Sequence, residues 1–272
     1  MGLATQMIVW NEDFCEQLAA QGRWVVRFDN RDVGRSTKLA EAKTPSAAYI
    51  FMAQTLGRTP AAPYTLLDMA KDTIGLLDAL GIERADIVGA SMGGAIGQEM
   101  AIHFRERLRS LTLVMAPSGD PKSPPPTAAA FANLIRPRPT DRKGFVDGYV
   151  DIWRVLAANY FPFDETGTRR EGEICYERGI NPPGALRQML AILASGNRKP
   201  GLRSVDTSTL VIHGTRDPLV RFAIGEDVAR TIPGATFLPI EGMGHNLPRE
   251  AWPTILDAIE RHSPGTRAVQ TA

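Results

Sequence analysis

Cysteine is scarce: Cys15 and Cys175 are the only two in 272 residues, and they stand far apart. A disulfide framework and a C-x-x-C redox or zinc pair are thereby excluded, and both read as reduced thiols of an intracellular protein. No apolar run approaches the roughly 20 residues that span a bilayer, and the first ten residues lack the charged and apolar regions of a signal peptide. A cytoplasmic protein with no membrane partner is the expectation. No excess of one charge is present either: 31 Lys plus Arg against 30 Asp plus Glu leave a net charge of +1. With no basic block longer than a pair such as Arg169-Arg170, nucleic acid is not an expected partner. The four histidines lack ligand spacing and no phosphate-cradling glycine loop occurs, so neither a metal nor an organic cofactor is expected. What is present is the composition of an ordinary globule, 43% hydrophobic and 22% charged, long enough for one α/β-sized unit or a unit carrying a sub-domain.

β-rich runs and helical patterns alternate, which predicts a mostly parallel sheet with flanking helices. Glu12 to Gln21 reads as a helix and Trp24 to Phe28 as a strand. Leu66, Leu67, Ala70, Ile74, Leu77 and Leu80 recur at helical spacing until Gly81 stops them. Asp86–Ala90 and Leu111–Met115 read as buried strands with a helix from about Met92 to Glu106 between them. Composition then shifts. Eleven of the 20 prolines and eight of the 19 aromatic residues fall between 117 and 200. Residues 117–205 therefore read as a helical lid inserted between two core portions, 1–116 and 206–262, with 263–272 as a flexible tail. After the insertion the rhythm resumes with a strand at Thr209–His213, a helix at Arg221–Ile232, a strand at Ala235–Ile240 and a closing helix at Trp252–His262.

The sharpest local signal is Gly89-Ala90-Ser91-Met92-Gly93-Gly94, between a predicted strand and a predicted helix. This is the G-x-S-x-G nucleophile elbow, in which Gly89 and Gly93 allow a turn tight enough to lift the Ser91 hydroxyl clear of the sheet. The bland alternative is a glycine-rich turn whose serine only caps the helix. A serine needs a base within hydrogen-bond reach, and the base needs a carboxylate to orient it. His103 lies inside the helix after the elbow, His213 on a strand and His262 near the tail, whereas His245 sits in the glycine-rich loop Glu241 to Asn246 after the last strand. Loops at the C-terminal ends of parallel strands are where such sites assemble. Asp217, in Gly214-Thr215-Arg216-Asp217-Pro218, directly follows a β-rich run and is the candidate acid. The order Ser91, Asp217, His245 is the nucleophile, acid, histidine order of one particular fold.

With Phe28 to Thr37, the elbow, the Asp217-Pro218 turn and Gly242 to His245, the chain resembles the α/β-hydrolase-fold family. Within it, the likeness is to the group of aclacinomycin methylesterase-like bacterial esterases. That resemblance implies a serine hydrolase acting on a carboxylic ester of a hydrophobic small molecule through an acyl-enzyme. The oxyanion hole would use the N–H of Met92, next to the nucleophile, and that of Leu3, with Gly2 permitting close approach. The same triad also supports cofactor-free haloperoxidase, perhydrolase or carbon–carbon bond hydrolase chemistry, and a non-catalytic ligand-binding member is the alternative of another class. The resemblance further implies N-terminal strands ahead of Met1, one of them between Trp24–Phe28 and Asp86–Ala90. The expectation is therefore that Met1 is an internal residue of a longer protein. The identity of the ester and the oligomeric state are not legible in the chain.

Overall fold

A computed structural model describes residues 1–42, 59–136 and 139–263. Their helices and strands run α1 (Glu12–Ala20), α2 (Leu66–Ala79), β1 (Ala85–Ala90), α3 (Met92–His103), β2 (Leu108–Val114), α4 (Ala128–Ile135), α5 (Arg142–Leu156), α6 (Glu165–Glu177), α7 (Pro182–Ser195), α8 (Lys199–Leu202), β3 (Thr209–Gly214), α9 (Phe222–Thr231), β4 (Thr236–Ile240) and α10 (Trp252–His262). The four strands pair in sequence order, all parallel. Parallel neighbours need crossovers, which α3 supplies between β1 and β2, and α9 between β3 and β4. The tail expected at 263–272 lies, from 264 onward, outside the described residues.

Successive strand residues face opposite sides, and the two cores follow that alternation. Leu111, Leu113 and Val211 point to one face and pack with Leu66 and Met69 of α2, Ile96 and Met100 of α3 and Val228 of α9. Val114, Leu210 and Ile212 point to the other and pack with Phe14 and Leu18 of α1 and Trp252, Ile255 and Ile259 of α10. Local chemistry sets the helix starts. Thr65 accepts from the Asp68 N–H at 3.3 Å while Asp68 accepts from the Thr65 N–H at 3.0 Å, a reciprocal box that begins α2. Between β2 and β3 the chain is helical, α4 to α8, and no helix among the described residues is long and apolar enough to cross a membrane.

One predicted strand is corrected. Trp24–Phe28 joins no ladder. Val26, Phe28 and Asn30 line a cleft of about 110 Å³ together with Ile87–Gly89 of β1. Trp24 is 74% exposed, showing that its β-forming side chain has no neighbour to pack on. No described strand lies between this run and β1.

Candidate active site

At the end of β1 the chain must reverse into α3 within one residue. Ser91 takes φ 53° and ψ −118°, a conformation that costs a non-glycine residue on the order of 1 to 3 kcal/mol. Packing over-determines it: the Ser91 N–H donates to the Val114 carbonyl at 2.9 Å. A Cβ at Gly89 would stand 2.3 Å from the Gly93 carbonyl oxygen, and one at Gly93 would stand 2.8 Å from that of Met1. The two glycines are therefore required by backbone approach. The Ser91 side chain makes no capping hydrogen bond to α3, which removes the helix-cap explanation for a serine at this position. Its neighbour Met92 occupies the first helical turn, where N–H groups have no intrahelical acceptor and the dipole favours negative charge.

Asp217 lies in the turn after β3 and His245 in the turn after β4, and the structure brings them together: His245 Nδ1 is 2.7 Å from Asp217 Oδ2. Asp217 is 3% exposed and His245 5%. The other carboxylate oxygen accepts from the N–H groups of Leu219 at 2.9 Å and Val220 at 2.8 Å. Burial alone would raise the Asp217 pKa, but the charge of His245 and the hydrogen bonds from His213 and His245 outweigh it and hold the carboxyl at about 2. A carboxylate so held fixes the imidazole with its Nδ1 as donor and leaves Nε2 as the basic nitrogen.

Of the other histidines, His213 also reaches Asp217, with Nε2 3.5 Å from Oδ2, whereas His103 and His262 have other partners. His213 is fully buried with Nε2 2.7 Å from the Val220 carbonyl, and a Cβ on Gly225 would collide with its ring at 2.3 Å. His103 is 3.4 Å from Glu99 one helical turn earlier, and His262 is exposed at 3.2 Å from the Ser208 carbonyl.

A sequence profile of the alpha/beta hydrolase fold matches residues 2–151, more than half of the chain and including the elbow. The chain belongs to the α/β-hydrolase-fold family. Among relatives, it is 29% identical over 275 residues to the rhodomycin D methylesterase DnrP of Streptomyces peucetius, covering 93% of this chain and 86% of that protein. Among solved structures, a meta-cleavage product hydrolase from Pseudomonas fluorescens superposes with a TM-score of 0.71 at 18% identity, covering 96% of this chain and 86% of the other. A thermophilic esterase from Thermogutta terrifontis superposes with a TM-score of 0.64 at 23% identity over the same shares of the two chains. At these identities the two structures speak to the fold.

In this α/β-hydrolase-fold chain the Gly2–Leu3 segment lies against the elbow. A Cβ on Gly2 would stand 3.4 Å from Ser91 Cβ and 3.7 Å from its hydroxyl oxygen. The Thr5 N–H donates to the Gly2 carbonyl at 3.2 Å, closing a turn over Leu3 and Ala4.

Sequence reasoning missed what supports these loops. The His245 N–H donates to the Leu156 carbonyl at the end of α5 at 2.7 Å, and a Cβ on Gly244 would stand 2.1 Å from that same oxygen. Arg216 stacks over Tyr160 with its guanidinium carbon 4.9 Å from the ring centroid. On the opposite side, Arg187 of α7 forms a buried pair with Asp32 at 2.6 Å, and Tyr64 and the Leu39 N–H also donate to that carboxylate. Burial would raise the Asp32 pKa, but these partners hold it below the usual aspartate range. The advance signals were weak: the Gly242-Met243-Gly244 run and the Arg and Asp residues within Asn30–Thr37.

Proposed function

We propose that the chain is a serine hydrolase that cleaves a carboxylic ester of a hydrophobic small molecule. The observation that carries this is the buried His245–Asp217 pair at 2.7 Å, formed by turns after neighbouring parallel strands of a sheet that also carries the Ser91 elbow. The methylesterase relative supports an ester as substrate.

In the proposed cycle His245 Nε2 accepts the Ser91 hydroxyl proton as the oxygen attacks the ester carbonyl. Asp217 keeps the proton on Nδ1 and stabilises the imidazolium that forms. Charge develops on the carbonyl oxygen, where the N–H groups of Met92 and Leu3 donate to it. His245 then returns the proton to the leaving alcohol, and an acyl group remains on Ser91. Water, deprotonated by His245, attacks that acyl group; the bond to Ser91 breaks, the Ser91 oxygen recovers the proton from His245 and the acid is released. Every step uses groups of the chain itself. Helices α4 to α8 act as a lid whose aromatic side chains favour an apolar acyl or alcohol portion.

The test is turnover of aryl and methyl esters of graded acyl length by the parent and by Ser91→Ala. Loss of a triad nucleophile costs about 10⁶ in kcat where it has been isolated, so Ser91→Ala should fall to the detection limit while remaining folded. Residual turnover close to that of the parent would refute the assignment.

A further inference from the structure

The turn that carries Leu3 is strained and is held from a distance. Its third residue is Ala4, at φ 55°, in the left-handed region that the corresponding position of a type II turn demands and that glycine normally fills. The central peptide of the turn, between Leu3 and Ala4, presents the Ala4 N–H to Gln188 Oε1 at 2.8 Å. Gln188 belongs to α7, 184 residues further along, and is fully buried. Its Nε2 donates to the Arg31 carbonyl at 2.7 Å. The amide cannot turn over, because that would set its NH₂ against the Ala4 N–H and its oxygen against the Arg31 carbonyl. Neighbouring Arg187 roots the same helix turn in Asp32. The carbonyl of the same peptide accepts from the Thr5 hydroxyl at 3.0 Å, so without the Gln188 acceptor this contact alone would oppose rotation of the Leu3–Ala4 peptide toward negative φ at Ala4, a rotation that would shift the adjoining Leu3 amide.

We infer that Gln188 is a positioning residue for the oxyanion hole: α7 sets the aim of the Leu3 N–H by clamping the Gly2–Thr5 turn. The inference rests on the serine hydrolase reading above. It makes the helical segment between β2 and β3 part of the machinery for transition-state stabilisation as well as a cover, and Gln188 touches no substrate in this role.

The test compares the parent, Gln188→Met, and Gln188→Met combined with Ala4→Gly on a small aryl ester. Loss of an oxyanion donor outright costs about 10² to 10³ in kcat, so a misaimed donor should cost roughly 10- to 100-fold, with KM within about threefold because the contact is made in the transition state. Glycine adopts positive φ without strain, so Ala4→Gly should recover about fivefold or more of that loss, a rescue that simple loss of packing would not show. Gln188→Glu is the control: it keeps an acceptor for Ala4 and loses only the donor to Arg31, so its kcat should stay above that of Gln188→Met. Amide exchange in the parent gives a readout free of any variant: the Ala4 N–H should be protected. An active parent in which Gln188→Met leaves kcat unchanged, or in which Ala4→Gly gives no rescue, or in which the Ala4 amide exchanges freely, overturns the role of Gln188 alone. A folded parent that turns over no ester overturns the hydrolase reading and this inference with it.

Discussion

Replacing Asp217 by Asn tests the acid of the site through both activity and stability. The new side chain keeps an oxygen for the Leu219 and Val220 N–H groups but turns an NH₂ toward His245 Nδ1, where the structure has a carboxylate oxygen at 2.7 Å. The imidazole then prefers the tautomer with its proton on Nε2, which cannot take a proton from Ser91. An activity loss of about 10⁴ in kcat follows, smaller than that for Ser91→Ala. Stability gives an independent number. The Asp217 carboxyl lies at about 2 in the folded chain against an ordinary value of 3.8, so its ionised form contributes on the order of 2 kcal/mol to folding. The pKa is depressed on folding, so this contribution is fully present above the unfolded value and is lost as pH falls through the folded one. The difference between parent and variant in urea unfolding, referred to its value at pH 5, falls as acid is added. By pH 3 it should shrink by about 1 kcal/mol. A variant with kcat within tenfold of the parent, or a stability difference that does not change with acid, would refute the placement of this carboxylate as the ionised partner of His245.

Three further outcomes follow from helices α4 to α8 and their supports. Arg187→Met leaves the Asp32 carboxylate buried without its cation and should destabilise the fold by about 3 to 5 kcal/mol, read from chemical unfolding at pH 7. Glu171 is raised to about 6, chiefly by burial, so ionisation opposes folding as pH rises from its ordinary 4.5 to about 6. Glu171→Gln keeps an acceptor for Tyr149 and should raise the melting temperature at pH 7.5, by the equivalent of about 1 to 2 kcal/mol, with no gain at pH 4. Phe161 packs against the core that holds Met243, edge-on to Tyr160 at 5.0 Å. Phe161→Ala should change the ratio of turnover between long-chain and acetyl esters by about tenfold while leaving reactivity toward a small probe nearly unchanged.

How far the sequence revealed this arrangement depends on how local each cause is. The elbow was legible because its first requirement is local: Gly89 approaches the Gly93 backbone within five residues, and only the Gly93 contact, with Met1, is distant. The closing helix was read with its observed limits, Trp252–His262, since an amphipathic period and a preceding turn are both short-range. Leu111–Met115 overlaps β2 but runs one residue past its end at Val114 and begins late, at Leu111 where the strand starts at Leu108, because Arg109 and Ser110 interrupt the apolar run while Arg109 pairs with Asp86 at the strand's edge. Trp24–Phe28 misled for the opposite reason: β-forming side chains report what would fit a sheet surface, and only a neighbouring strand turns that into a ladder. Gln188 was invisible in the sequence. It sits in an apolar helical pattern and gains its meaning from two backbone groups, at Ala4 and Arg31, more than 150 residues away.

Whether Ser91 is an activated nucleophile is tested most directly by reacting the folded chain with a small fluorophosphonate and locating the adduct by peptide mass spectrometry. Covalent phosphonylation should fall on Ser91 alone, and it should be slowed by several orders of magnitude in His245→Ala, since the base that removes the hydroxyl proton is then missing. A parent chain that takes no label, labels at another residue, or labels equally fast without His245 would contradict a serine hydrolase built from Ser91, His245 and Asp217.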